Sequence, residues 1–117
     1  MLHYIATIRH EDTMTEEERK RCELRAHMFK ALAHPLRIYM LELLKERPWC
    51  VCEMAEELGV DKSIVSKYLT QLKNAGIIED KKRGTLVEYH LAAPCVLELA
   101  FCAESSVLEV RKKRLMI

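Results

Sequence analysis

The amino-acid pattern predicts a mainly α-helical domain that carries one β-hairpin and assembles as a dimer. Three observations lead there. Apolar residues recur every three or four positions through most of the chain, the period drops to two over residues 78–91, and the last helix carries more apolar surface than a small domain can cover alone. The 117 residues, half of them hydrophobic and a third charged, include only three Gly and three Pro. That is the make-up of one compact unit and excludes collagen-like, disordered and multi-domain organisations.

Residues 1–14 show no sustained periodicity and read as an N-terminal arm, ordered only where it packs on something. Thr15 followed by Glu16, Glu17 and Glu18 has the form of a capping box, and Leu24, Met28, Ala31 and Leu32 then recur at helical spacing, giving a first helix over 16–32. His34-Pro35 breaks it, because Pro35 disfavours helical geometry at the residue before it and suits the first turn of the next helix. That second helix, over 35–45, is apolar on nearly all sides and belongs at the centre.

Arg47-Pro48 ends it, and residues 49–51 suit a short edge strand. Val51, Met54, Ala55 and Leu58 form the stripe of a third helix, stopped by Gly59, which tolerates the left-handed backbone a sharp turn needs. Asp61 or Ser63 can cap a fourth helix with a buried stripe of Val65, Leu69 and Leu72. Its opposite face carries Ser63, Ser66, Lys67 and Thr70 at i, i+3, i+4 and i+7, one polar surface suited to reading a partner. Residues 78–82 and 85–91 then pair as a hairpin turned at Arg83-Gly84. Pro94 opens a final helix reaching about residue 113, so that 15–113 form the domain, with dimerisation helices at both ends, and 114–117 a C-terminal tail.

The formal net charge of +1 says little, but its distribution says more. Residues 62–85 hold six bases (Lys62, Lys67, Lys73, Lys81, Lys82, Arg83) against two acids, Glu79 and Asp80, so positive charge collects where a polyanion would dock. No stretch approaches a membrane span and no signal-peptide core opens the chain, so a cytoplasmic protein is expected. In a reducing compartment the five cysteines are thiols or metal ligands rather than a disulfide framework. No Cys/His/carboxylate constellation or Gly-rich cofactor loop is visible, which argues against an enzyme.

Helix, short Gly turn, helix with a polar outward face, then a basic-tipped hairpin is the order of a winged helix-turn-helix. The outward face would enter the major groove with Ser63, Ser66, Lys67, Thr70 and Gln71 at base edges, while Lys62, Lys73, Lys82 and Arg83 meet phosphates. The partner is then double-stranded operator DNA. Residues 29–38 (FKALAHPLRI), 50–59 (CVCEMAEELG), 63–76 (SIVSKYLTQLKNAG) and the Lys-Arg-Gly wing resemble the ArsR/SmtB-type metalloregulatory repressors over about residues 24–91. Cys50-Val51-Cys52 resembles their arsenical-resistance branch. The resemblance implies a homodimeric repressor that leaves its operator when an inducer binds. In two places the chain departs from that pattern: Ala55 stands where a third Cys is expected, and Tyr68 where the family often has His. The acidic and His ligands of the zinc-sensing branch are also missing from the last helix, which holds Cys95 and Cys102 instead.

On an extended backbone Cys50 and Cys52 point to one side, about 6 to 7 Å apart at Cα. They open the third helix, whose dipole favours thiolate, and soft thiolates suit a thiophilic metal or metalloid. Two are too few for a trigonal arsenite site or a four-thiolate cadmium or lead site. Cys95 and Cys102 share a helical face but stand about 10 Å apart along the axis, so one ion cannot take both in an intact helix. Each can face its equivalent across a two-fold axis, one can join Cys50 and Cys52, the helix start near Pro94 can be unwound, or both can simply pack a dimer core; Cys22 is a further donor. No constitutive cofactor is expected. The expected inducer is As(III) or Sb(III), with Cd(II) or Pb(II) second, and thiol oxidation or persulfide chemistry offers a different trigger in the same fold.

Overall fold

The computed structural model describes residues 13–116. The predicted arm falls almost wholly outside them. In chain order the elements are α1 (Glu16–Leu32), α2 (Pro35–Glu46), α3 (Val51–Leu58), α4 (Lys62–Asn74), β1 (Ile78–Arg83), β2 (Leu86–Leu91) and α5 (Cys95–Met116). The strands pair antiparallel, Ile78 opposite Leu91 and Arg83 opposite Leu86. This is the mainly helical, hairpin-bearing architecture of a winged helix-turn-helix.

Each helix starts and stops for a local reason. Thr15 Oγ1 accepts the Glu18 N–H at 3.1 Å and Glu18 Oε1 accepts the Thr15 N–H at 2.9 Å, closing the capping box of α1. His34 caps α2, its Nδ1 accepting the Leu36 N–H at 3.1 Å, with Pro35 in the first turn. Gly59 ends α3 at φ +65°, a conformation that costs a side-chain-bearing residue about 1 to 2 kcal/mol. That turn sets α4 across α3. Asp61 takes the N-cap position of α4 without a side-chain cap bond.

The core lies between α2, α3, α4 and the base of the hairpin. Met40, Leu41, Met54, Val65, Leu69, Leu72 and Ile77 are essentially sealed from solvent. The three α4 residues among them are the stripe read from the sequence, so the polar face of that helix points outward as expected.

Five local expectations need correction. Only Trp49 pairs in the segment expected as a strand, through an isolated bridge to Tyr89. Cys50 is the extended N-cap of α3, and Val51 and Cys52 are already helical. The two thiols therefore do not share one side of a strand. The hairpin turns at Gly84-Thr85, one residue later than expected, because Gly84 at φ +66° takes the first central position that a two-residue turn of the II′ kind reserves for Gly. Helix α2 is not buried all round: Met40, Leu41 and Leu44 face the core, while Ile38 and Tyr39 remain exposed. Finally, α5 runs on through Arg114, Leu115 and Met116, residues expected as a tail.

Helix α5 buries Val96 alone along its 22 residues. Phe101, Val107, Leu108 and Val110 are exposed, as are Leu24 and Phe29 on α1. No described helix is long and apolar enough to cross a membrane.

Candidate nucleic-acid interface and thiol site

The outward face of α4 presents Lys62, Ser63, Ser66, Lys67 and Thr70, all exposed. Thr70 donates its hydroxyl proton to the Ser66 carbonyl at 2.9 Å. With its one proton taken, Thr70 offers a partner only lone pairs. The basic residues flanking this face are differently placed. Lys73 reaches Asp80 of β1 at 3.0 Å, which ties the end of α4 to the hairpin, and Arg83 at the wing tip lies 3.4 Å from Glu88 while staying exposed. Lys82 is exposed beside it.

Gln71, expected at a base, sits half-buried on the flank of α4, where Arg37 Nη1 donates to its Oε1 at 2.7 Å. Arg37 also donates from Nε to the Ala31 carbonyl at 2.6 Å and from Nη2 to the Lys30 carbonyl at 3.3 Å, capping the end of α1. Its guanidinium lies 5.1 Å from the Tyr68 ring centre, and the Tyr68 hydroxyl meets His34 Nε2 at 3.2 Å. One arginine thus locks the start of α2 and the end of α1 onto the flank of α4. Sequence reading missed Arg37 in this role. Its signal was a lone charged side chain in the otherwise apolar first half of that helix, residues 35–41.

The thiols are distributed unevenly. Cys50 is buried, whereas Cys22, Cys52, Cys95 and Cys102 are exposed. Among the described residues no three His, Cys, Asp or Glu side chains converge in one chain to hold a metal. Cys50 and Cys52 lie two residues apart at the mouth of α3, and Cys95 and Cys102 lie on α5. The Cys50 N–H donates to Glu53 Oε1 at 3.1 Å, and that bond is the chief reason the Glu53 carboxyl sits below the ordinary carboxylate range. Arg47 completes the surroundings, stacked 3.6 Å from the Trp49 ring centre and 3.5 Å from Glu53.

Cys50 is also wired to the wing. Its neighbour Trp49 exchanges two backbone hydrogen bonds with Tyr89 of β2, at 3.2 and 2.8 Å, and Trp49 Nε1 donates to the Leu43 carbonyl at 2.9 Å. Tyr89 stands opposite Asp80, the partner of Lys73. A displacement at Cys50 therefore has a bonded route to β2 and onward to the end of α4.

A family model described as bacterial regulatory protein, arsR family, matches residues 34–80, the span from the α2 cap to β1. The HTH-type transcriptional regulator Rv0081 of Mycobacterium tuberculosis is 36% identical over 96 residues, covering 81% of this chain and 84% of that protein. The chain belongs to the ArsR family of helix-turn-helix transcriptional regulators. The crystal structure of Rv0081 matches this ArsR-family fold with a TM-score of 0.67 over 80% of this chain and 94% of that one. The homodimeric winged helix-turn-helix DNA-binding domain Mb0332 from Mycobacterium bovis matches at 0.72, with 26% identity over 82% of this chain and 89% of its own. The arsenic resistance transcriptional regulator ArsR1 of Pseudomonas putida is 38% identical over 65 residues, 55% of this chain and 51% of that protein. As a member of this family the chain is a transcriptional regulator and not an enzyme.

Proposed function

We propose that this ArsR-family regulator is a homodimeric repressor of a pseudo-palindromic operator and releases it when its cysteine thiolates bind arsenite or antimonite. Ser63, Ser66, Lys67 and Thr70 face the bases, while Gln71 is held on the flank of α4 by Arg37, and Lys62, Lys73, Lys82 and Arg83 face phosphates, with the two α4 helices about one DNA turn, roughly 34 Å, apart. The observation that carries the inducer reading is the position of Cys50. It caps the helix that precedes the reading helix, and Trp49 beside it is bonded to the wing.

Because the described residues of one chain gather no third ligand around Cys50 and Cys52, the site takes a thiolate from α5 or from the second subunit, with Cys95 and Cys102 ahead of Cys22. Drawing Cys50 towards it pulls on α3 and on β2 together. A metalloid that binds the DNA-free arrangement more tightly weakens DNA binding by the same factor, tenfold for each 1.4 kcal/mol of preference. Cd(II) and Pb(II) are the second choice of ion. Thiol oxidation or persulfide formation is a competing trigger, favoured by the exposure of four of the five thiols.

The test is release of a selected operator duplex by arsenite from reduced wild-type protein and from Cys50→Ser, Cys52→Ser, Cys95→Ser and Cys102→Ser. Loss of arsenite response in the Cys50 and Cys52 variants, with DNA affinity kept, supports the reading. Unchanged release in both rejects it, and release by peroxide or persulfide but not arsenite transfers the trigger to thiol chemistry.

A further inference from the structure

Helices α1, α2 and α4 enclose an open cleft of about 250 Å³ lined by His27, Lys30, Ala31, Arg37, Gln71 and Asn74. Among the described residues no carboxylate lines it. The acceptors on its walls are largely in use: the Lys30 and Ala31 carbonyls take Arg37, and at the end of α4 the Gln71 and Lys73 carbonyls take the Ala75 and Gly76 N–H groups. Those bonds also blunt the negative ends of the two helices that meet here.

The orientation of Gln71 follows from chemistry. A guanidinium has donors only, so the atom facing Arg37 is the carbonyl oxygen, and the NH2 is the group left for a ligand. The cleft thus offers the Lys30 ammonium, the Arg37 charge, the His27 ring and the Gln71 and Asn74 amides. Such a set of converging donors suits an anion with several oxygens.

Its position identifies the source of that anion. Asn74 continues the stripe of Ser63, Lys67 and Thr70 at helical spacing, so the cleft opens beside the face that α4 turns to DNA. We propose that the cleft seats a backbone phosphate of the operator, held by Lys30 and His27 from α1 and by Gln71 and Asn74 from α4. The assignment rests on the DNA-binding reading above. It adds α1 to the DNA-contacting elements, and it makes Gln71 a donor to phosphate instead of a reader of bases.

The test uses the full-length dimer and a duplex selected by the wild type from a randomised pool, beside a scrambled duplex, with binding followed from 50 to 200 mM salt. Lys30→Gln, which removes one contact from each subunit, is expected to weaken both duplexes by the same factor, roughly 25-fold to 100-fold at 0.1 M salt, and to flatten the salt slope by about 1.8. Lys30→Arg should restore both, with melting temperature unchanged throughout. Unchanged affinity and slope in Lys30→Gln overturn the assignment, as does a loss confined to the selected duplex. Inorganic phosphate titrated into DNA-free protein forms the second arm: a shift of the His27 ring resonances at an unchanged DNA slope assigns the cleft to a free anion and overturns the operator contact. Wild-type protein that binds neither duplex overturns the DNA-binding reading itself, a result distinct from failure of the cleft alone.

Discussion

A carboxylate beside a DNA-reading helix works against a polyanion. Asp80 is partly exposed on β1, and its hydrogen bond to Lys73 is the main reason its carboxyl lies below the ordinary range, with partial burial opposing. The pair is a surface ion pair of little worth to stability, so its consequence is for binding. Asp80→Asn keeps the shape, removes the repulsion and frees Lys73 for a phosphate. Affinity for any duplex should rise at least several-fold and the salt slope steepen by about 1.8, one new contact per subunit, read by fluorescence anisotropy. A uniform fall instead would mean that the pair's role is to hold the hairpin against α4. At this scale the outward face of α4 was legible because its stripe and its opposite follow from helical periodicity. The bonds of Arg37 to Gln71 and of Tyr68 to His34 were not, since each joins residues 34 apart and no local pattern encodes them.

Elements were legible where their ends are set by short-range chemistry. The capping box at Thr15, Pro35 after His34, and Gly59 each fixed a boundary that the structure reproduces. The hairpin turn and the Cys50 segment were less so, because a one-residue shift of Gly84 or an N-cap in extended conformation leaves almost the same local signal. Two of the caps make a pH prediction. The Thr15 backbone N–H holds the Glu18 carboxyl below its ordinary range, and the Cys50 N–H does the same for Glu53. Groups depressed in the folded state stabilise above their unfolded pKa, and that contribution disappears as pH falls through the lowered folded value. Helicity should therefore hold from neutral pH to about pH 5 and decline only below the ordinary carboxylate pKa. Glu18→Gln and Glu53→Gln keep an acceptor oxygen without a titrating proton, so together they should flatten that acid decline in circular dichroism. An equally steep decline in the double variant would assign the acid sensitivity to other groups.

At the scale of the whole molecule the decisive feature is the apolar surface the single chain leaves uncovered. Leu108 is 54% exposed and Phe101 73% exposed on α5, and Leu24 and Phe29 are exposed on α1. A patch of this kind marks an interface, and a domain this small gains much of its stability by covering it with a second copy. Across a two-fold axis every substitution counts twice. Leu108→Glu removes two apolar contacts worth about 1.5 kcal/mol or more each and places two like charges at the seam. The dimer constant should fall at least a hundredfold, since 1.4 kcal/mol is a factor of ten. Sedimentation should then show a monomer at micromolar concentration, with helix content nearly unchanged because the core between α2, α3 and α4 is untouched. Operator binding should collapse further than the loss of any single phosphate contact, as each subunit then holds only one half-site and the two α4 helices lose their fixed spacing. A variant that stays dimeric with full operator affinity would place the seam elsewhere on α1, and the corresponding charge at Phe29 would then be the one to separate the subunits.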